Sequence, residues 1–128
     1  MQEIMLILYV SDQNASKEFY SHVLLMQPHM DVPGMSEFTL KNGVMIGLMP
    51  NDGAAKLIGN KLPHPKEGQG IPRSEIYLML DNAQSYIDRA LEVGGKLLSP
   101  IQDRSWGDTA GYVSDPDGHV LAFAEARS

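Results

Sequence analysis

The chain has 128 residues, 43% hydrophobic and 20% charged, with 16 acidic against 10 basic side chains and a net charge of −6. That length and balance suit one globular domain with its own core, and they exclude a disordered chain or a fibre. Acidity without a Lys/Arg cluster argues against a nucleic-acid partner, since phosphate neutralisation supplies most of that affinity; the absence of cysteine excludes disulfides and thiolate metal sites.

The opening "MQEIMLILYVSD" holds one apolar run, Ile4 to Val10, with no basic residue before it. The run is too short to span a bilayer and lacks the charged flank of a signal peptide, so a soluble cytoplasmic protein without membrane contact is expected. It has the character of a buried strand. Asp12 is then placed to cap a helix by accepting from freed backbone donors. Ala15, Phe19, Val23 and Met26 follow at helical spacing, and Pro28, Pro33 and Gly34 end the segment. Residues 36–49, "SEFTLKNGVMIGLM", form two strands around Asn42-Gly43, a strong hairpin signal.

Residues 50–74 are rich in proline and glycine. A connection this long in a compact domain is usually functional or a linker. Within it "AAKLIG" (54–59) has the length for one or two helical turns, either as a lid or as part of a plain crossover. The first pattern then returns. "EIYLML" (75–80) is a strand, and 82–95 is a helix with Ala83, Tyr86, Ile87, Ala90 and Leu91 on one face, stopped by Gly94 or Gly95. Residues 109–126 are a hairpin whose Asp115-Pro116-Asp117-Gly118 fits a type I turn. The chain is therefore an internal repeat of strand, helix and hairpin: module one at about 1–50, a linker or lid at about 51–74, and module two at about 75–128.

Three stretches carry a family likeness: "LYVSDQNASKEFYSHVL" (8–24), "NAQSYIDRALEVGGKLLSP" (82–100) and "WGDTAGYVSDPDGHVLAFAE" (106–125). In these the chain resembles the vicinal oxygen chelate superfamily of glyoxalase I, extradiol dioxygenases, fosfomycin-resistance enzymes and bleomycin-binding proteins. The resemblance implies an α+β fold: two βαβββ modules in a single domain over 1–128, their curved sheets enclosing a central ligand cavity, often completed by a homodimer. Metal-bearing members place ligands on the first and last strands of each module. Carried over one at a time, those positions hold Met5, Gly47, Glu75 and Ala122. Only Glu75 has a ligand suited to a hard divalent ion, where about three protein ligands are normal. No metal and no cofactor is therefore expected; the alternative is a divalent metal held by rearranged ligands. His22, His29, His64 and His119 form no HxH or HExxH pair, and each is expected to be exposed.

Strand alternation would turn Ile7, Tyr9, Met45, Met49, Tyr77, Met79 and Ala124 to the same side as those four positions. That gives an apolar, aromatic wall suited either to a small-molecule pocket or to plain core. The resemblance places "DRSWGD" (103–108) at the cavity mouth. There Trp106 is suited to stacking on a planar ligand and Arg104 to gripping a carboxylate, unless the two merely anchor the loop. Glu75 is the candidate polar anchor, or a general base with its pKa tuned by burial. The leading expectation is a metal-free binder of a small organic molecule. A lyase, isomerase or dioxygenase with rearranged ligands, and a non-catalytic dimerisation module with a filled cavity, are the alternatives.

Overall fold

Seven consecutive apolar or aromatic side chains make β1 (Ile4–Val10). In the computed structural model, which describes residues 1–127, this strand is followed by α1 (Gln13–Leu24), β2 (Met30–Val32), β3 (Met35–Thr39), β4 (Val44–Pro50) and α2 (Asn51–Ile58). The second half continues with β5 (Glu75–Met79), α3 (Ala83–Glu92), β6 (Lys96–Asp103), β7 (Asp108–Ser114) and β8 (Val120–Ala126). The fold is α+β, built of two βαβββ modules. By internal contacts the chain divides into two compact units: Met1–Ser21 with Leu25–Gln69, and His22–Leu24 with the residues from Gly70 onward.

In the first unit the strand order is β1-β4-β3-β2, with β1 parallel to β4 and the other pairings antiparallel. Asp12 caps α1 as its sequence position predicts, its Oδ1 accepting from Ala15 N–H at 3.0 Å. The buried stripe of α1 is Ser16, Phe19, Tyr20, Val23 and Leu24. Ala15, expected on that stripe, is exposed, because the aromatic pair at 19 and 20 sets the inward direction. Tyr20 packs against Phe38 of β3 with ring centroids 6.5 Å apart. Phe38, Ile46, Leu48, Leu8 and Val10 are buried, each worth roughly 1.5–3 kcal/mol of transfer free energy. The helix stops well before the prolines. Leu25 adopts a left-handed conformation and returns its N–H to Ser21 O.

Asn42 and Gly43 both take positive φ, 60° and 75°, so the hairpin turn falls where the dipeptide predicts. α2 begins at once after β4 and buries Asn51 and Ala54. Residues 51–69, expected to link or cover, belong to the first unit and hold this helix and two short 3₁₀ turns.

In the second unit the order is β5-β8-β7-β6, again with the first pairing parallel. Ala83, Ile87 and Ala90 of α3 are buried, and Tyr86 stacks on Phe123 of β8 at 5.5 Å. Leu91, expected with them, is 40% exposed, because it lies on the flank of the stripe that runs through Ala83, Ile87 and Ala90. Asn82 makes no side-chain cap; Glu125 Oε2 instead accepts from Ala83 N–H at 2.9 Å. The 115–118 turn is tied by Asp115 Oδ1, which accepts from the N–H groups of Asp117 and His119, both at 2.9 Å. His119, expected to be exposed, is buried: the turn draws it under the edge of the unit, with its Nδ1 3.4 Å from Ser74 Oγ.

Candidate functional site

Each sheet has one face covered by a helix and an opposite face reached by the alternate side chains. In the first unit that open face carries Met5, Ile7 and Tyr9 on β1, beside Met45, Gly47 and Met49 on β4, in direct register. Met35 and Glu37 of β3 extend it. At Gly47 an added side chain would crowd its neighbours. A Cβ there would sit 3.0 Å from Met5 Sδ and 3.2 Å from both Met35 Sδ and Ile7 Cγ1. Thioethers therefore occupy the space that a glutamate side chain at this position would need.

The second unit brings together Glu75, Tyr77 and Ala122 by register: Tyr77 lies beside Ala122, and Glu75 beside Val120. Tyr77 is the centre of a hydrogen-bonded chain. Its hydroxyl donates to Asp108 Oδ2 at 2.6 Å and accepts from Trp106 Nε1–H at 2.8 Å. Desolvation, and then the bond to the Asp108 carboxylate, push the Tyr77 hydroxyl above its ordinary pKa, while the Trp106 bond pulls the other way. The phenol is thus held neutral, as a proton donor to Asp108 and not as a base. Trp106 stays 57% exposed although its indole N–H is fixed. Its ring is an oriented aromatic surface on a loop.

Arg104 turns inward onto the two strands that flank its loop, β6 and β7. Its Nε and Nη2 donate to Ala110 O, and Nη2 also to Ser99 Oγ and Pro100 O, at 2.8–3.0 Å. Its guanidinium lies 5.0 Å from the Tyr112 ring centroid. These bonds clamp the 99–110 segment that presents Trp106. Arg127 adds to the clamp, donating to Gly107 O and Arg104 O.

At the other end of the same face is a cleft of about 330 Å³, its walls including Pro72, Lys96, Leu98, Ser114, Gly118 and Val120. Three functional candidates escaped the sequence reading: Asp108, Lys96 and Ser114. Asp108 had a usable signal, since a half-buried tyrosine hydroxyl needs a partner and Asp108 opens the strand after Trp106. Lys96 and Ser114 had none, because the residue pattern gave no range for β6 and so no register between it and β7.

The donor set at Met5, Gly47, Glu75 and Ala122 does not fit a divalent ion. It offers one carboxylate, one thioether, a glycine filled over by sulfur, and an alanine with no exposed surface. Among the described residues no group of three His, Cys, Asp or Glu stands close enough together to hold a metal.

A chain of two βαβββ modules, each a four-stranded sheet with one helix-covered face, defines a protein of the glyoxalase-like class. Its residues 3–123 match the model of the Glyoxalase/Bleomycin resistance protein/Dioxygenase superfamily, and the chain belongs to that superfamily. It is 29% identical over 121 residues to the uncharacterised Mycobacterium bovis protein Mb0911c, an alignment covering 92% of this chain and 79% of that protein. Among solved structures it is similar to a glyoxalase-related enzyme from Fulvimarina pelagi, with a TM-score of 0.81, 23% identity, and coverage of 98% of this chain and 88% of the other. It is also similar to protein SA1046 of S. aureus, with a TM-score of 0.79, 19% identity, and coverage of 98% and 94%. These structural likenesses concern the fold.

Proposed function

We propose that this chain is a metal-independent binder of a small organic molecule, which it holds without transforming, by sequestration or as a sensor. The observation that carries the reading is the Trp106–Tyr77–Asp108 chain. Two hydrogen bonds and the Arg104 clamp spend stabilising interactions on holding an indole in the open. Exposed tryptophan with a fixed orientation suits stacking on a ligand, because little conformational freedom is left to lose on binding. Glu75 on the same face, beside Val120, supplies a polar anchor. In the first unit Met5, Ile7, Tyr9 and Met49, around the side-chain-free Gly47, offer a second apolar face of adaptable thioethers, the usual lining of ligand sites.

Cytoplasmic location and a homodimer belong to the same proposal. The absence of cysteine and the net charge of −6 suit a reducing compartment and small-molecule chemistry, with no nucleic-acid partner. No helix among the described residues is long and apolar enough to cross a membrane.

The test is a thermal-shift screen of metabolites and antibiotics on the wild type, Trp106→Ala and Glu75→Gln. A ligand that binds only the native state must raise its apparent stability, by about 2.7 kcal/mol at a hundredfold excess over Kd. Hits that weaken in Trp106→Ala support the proposal; a screen without hits, or hits indifferent to both variants, refutes it.

A further inference from the structure

The register of the second sheet lines up four side chains across its open face. Lys96 of β6 pairs with Ser114 of β7, Ser114 with Val120 of β8, and Val120 with Glu75 of β5. The row thus runs from an ammonium through a hydroxyl and an apolar residue to a carboxylate. Lys96, Ser114 and Val120 border the cleft of about 330 Å³, and Glu75 stands beside Val120 at its side. This volume lies at the lower end of small-molecule sites.

Both end charges are free. Among the described residues, neither Lys96 nor Glu75 takes part in any ion pair. Three interstrand spacings of about 4.8 Å set their Cα atoms roughly 14 Å apart, too far for them to neutralise each other well. The other charged groups nearby are hydrogen-bonded to backbone groups. Asp115 also borders the cleft, but its Oδ1 is spent on the two N–H groups of its own turn. Arg73 donates to Ile71 O and Asp117 O.

We infer that the ligand of this site is a zwitterion, its carboxylate received by Lys96 and Ser114 and its ammonium by Glu75. With both side chains standing up from the sheet their charged ends stay roughly 14 Å apart, and a hydrogen-bond distance of about 3 Å at each end leaves the opposite ligand charges about 8 Å apart. That span is a dipeptide or an ω-amino acid, longer than a free α-amino acid. Leu98, Val120 and Pro72 give its middle an apolar bed. The inference rests on the proposed binding function and names the ligand class for the same face.

The experiment is isothermal titration with 6-aminohexanoate, hexanoate and hexylamine, three probes of one chain length that carry both charges, the acid alone or the amine alone. The wild type is expected to bind 6-aminohexanoate at least about tenfold more tightly than either single-charge probe, the size of one charged contact. Lys96→Met should weaken 6-aminohexanoate and hexanoate about tenfold and leave hexylamine unchanged. Glu75→Gln should weaken 6-aminohexanoate and hexylamine and leave hexanoate unchanged. Both positions are exposed, so the variants should keep the wild-type melting midpoint. Equal affinity for the three probes, no heat with any of them at millimolar concentration, or a variant that leaves 6-aminohexanoate binding unchanged would overturn the inference. If thermal-shift hits were instead uncharged compounds lost in Trp106→Ala, the binding function would stand and the zwitterion assignment alone would fall.

Discussion

Gly118→Ala should be among the most destabilising single-methyl changes available in this chain, for two separable reasons. Gly118 has φ +88°, where an L side chain costs about 1–2 kcal/mol. An added Cβ would also lie 2.8 Å from Gly70 Cα and 2.9 Å from Gly70 C. Those are backbone atoms, and Gly70 N–H is tied to Asp117 O at 3.0 Å, so the neighbour cannot step aside without breaking a bond. Overpacking of that kind costs a further ~1–3 kcal/mol. Gly34→Ala is the control: φ is +97° there, with nothing within 4 Å of the new Cβ. It should cost only the conformational part. Urea denaturation of both variants measures the difference, expected to be at least about 1 kcal/mol, or about 3–5 °C in Tm. Equal losses in the two would refute the claim that the Gly70 backbone is braced against the 115–118 turn. Because Gly118 borders the cleft, Gly118→Ala should also weaken 6-aminohexanoate binding.

Tyr77→Phe removes both hydrogen bonds of the central chain. It should cost about 1–2 kcal/mol, leave Asp108 and the indole N–H to water, and red-shift Trp106 emission; an unchanged spectrum would show that the hydroxyl does not hold the ring. Glu125→Ala deletes the α3 cap and should cost about 0.5–2 kcal/mol by urea denaturation, with most of the loss recovered in Glu125→Gln. Asp31 is held below its ordinary pKa of 3.8, first by the bond from Lys17 and then by that from Ser36. A depressed carboxylate stabilises above its unfolded pKa, and that stability is lost as pH falls through the folded value. Asp31→Asn should therefore melt below the wild type near neutral pH, and the gap should close in acid below pH 3.8. A gap independent of pH would refute the pairing.

The sequence made the architecture legible wherever local chemistry and tertiary packing agree. Asp12 before a helical run, Asn42-Gly43 between apolar strands, and the 115–118 turn each specify one backbone conformation, and each is found there. β2 and β6 were implied by the βαβββ modules, but the residue pattern gave no range for either. β2 is three residues long, too short for alternation to show. β6 contains Pro100 and two register shifts against β7, and proline with bulges is how an edge strand hides its pattern. The same blind spot hid Lys96 and Ser114, whose meaning comes only from cross-strand register. The helix stripes were placed one position off at Ala15 and Leu91, because spacing gives a period and the partner surface sets its phase. Arg104 resembled a ligand arm in sequence; its donors go to Ser99 and Pro100 of β6 and Ala110 of β7, the strands that flank its loop, which no linear pattern reveals.

The most direct test of metal-independent binding is titration of a screen hit into protein dialysed against EDTA, and again after adding Ni, Zn, Mn or Fe, with bound metal counted in both samples. The account predicts the same Kd in both, and no stoichiometric metal retained after dialysis. Binding that appears only with the added ion, accompanied by one tightly held metal per chain that Glu75→Ala releases, would contradict it.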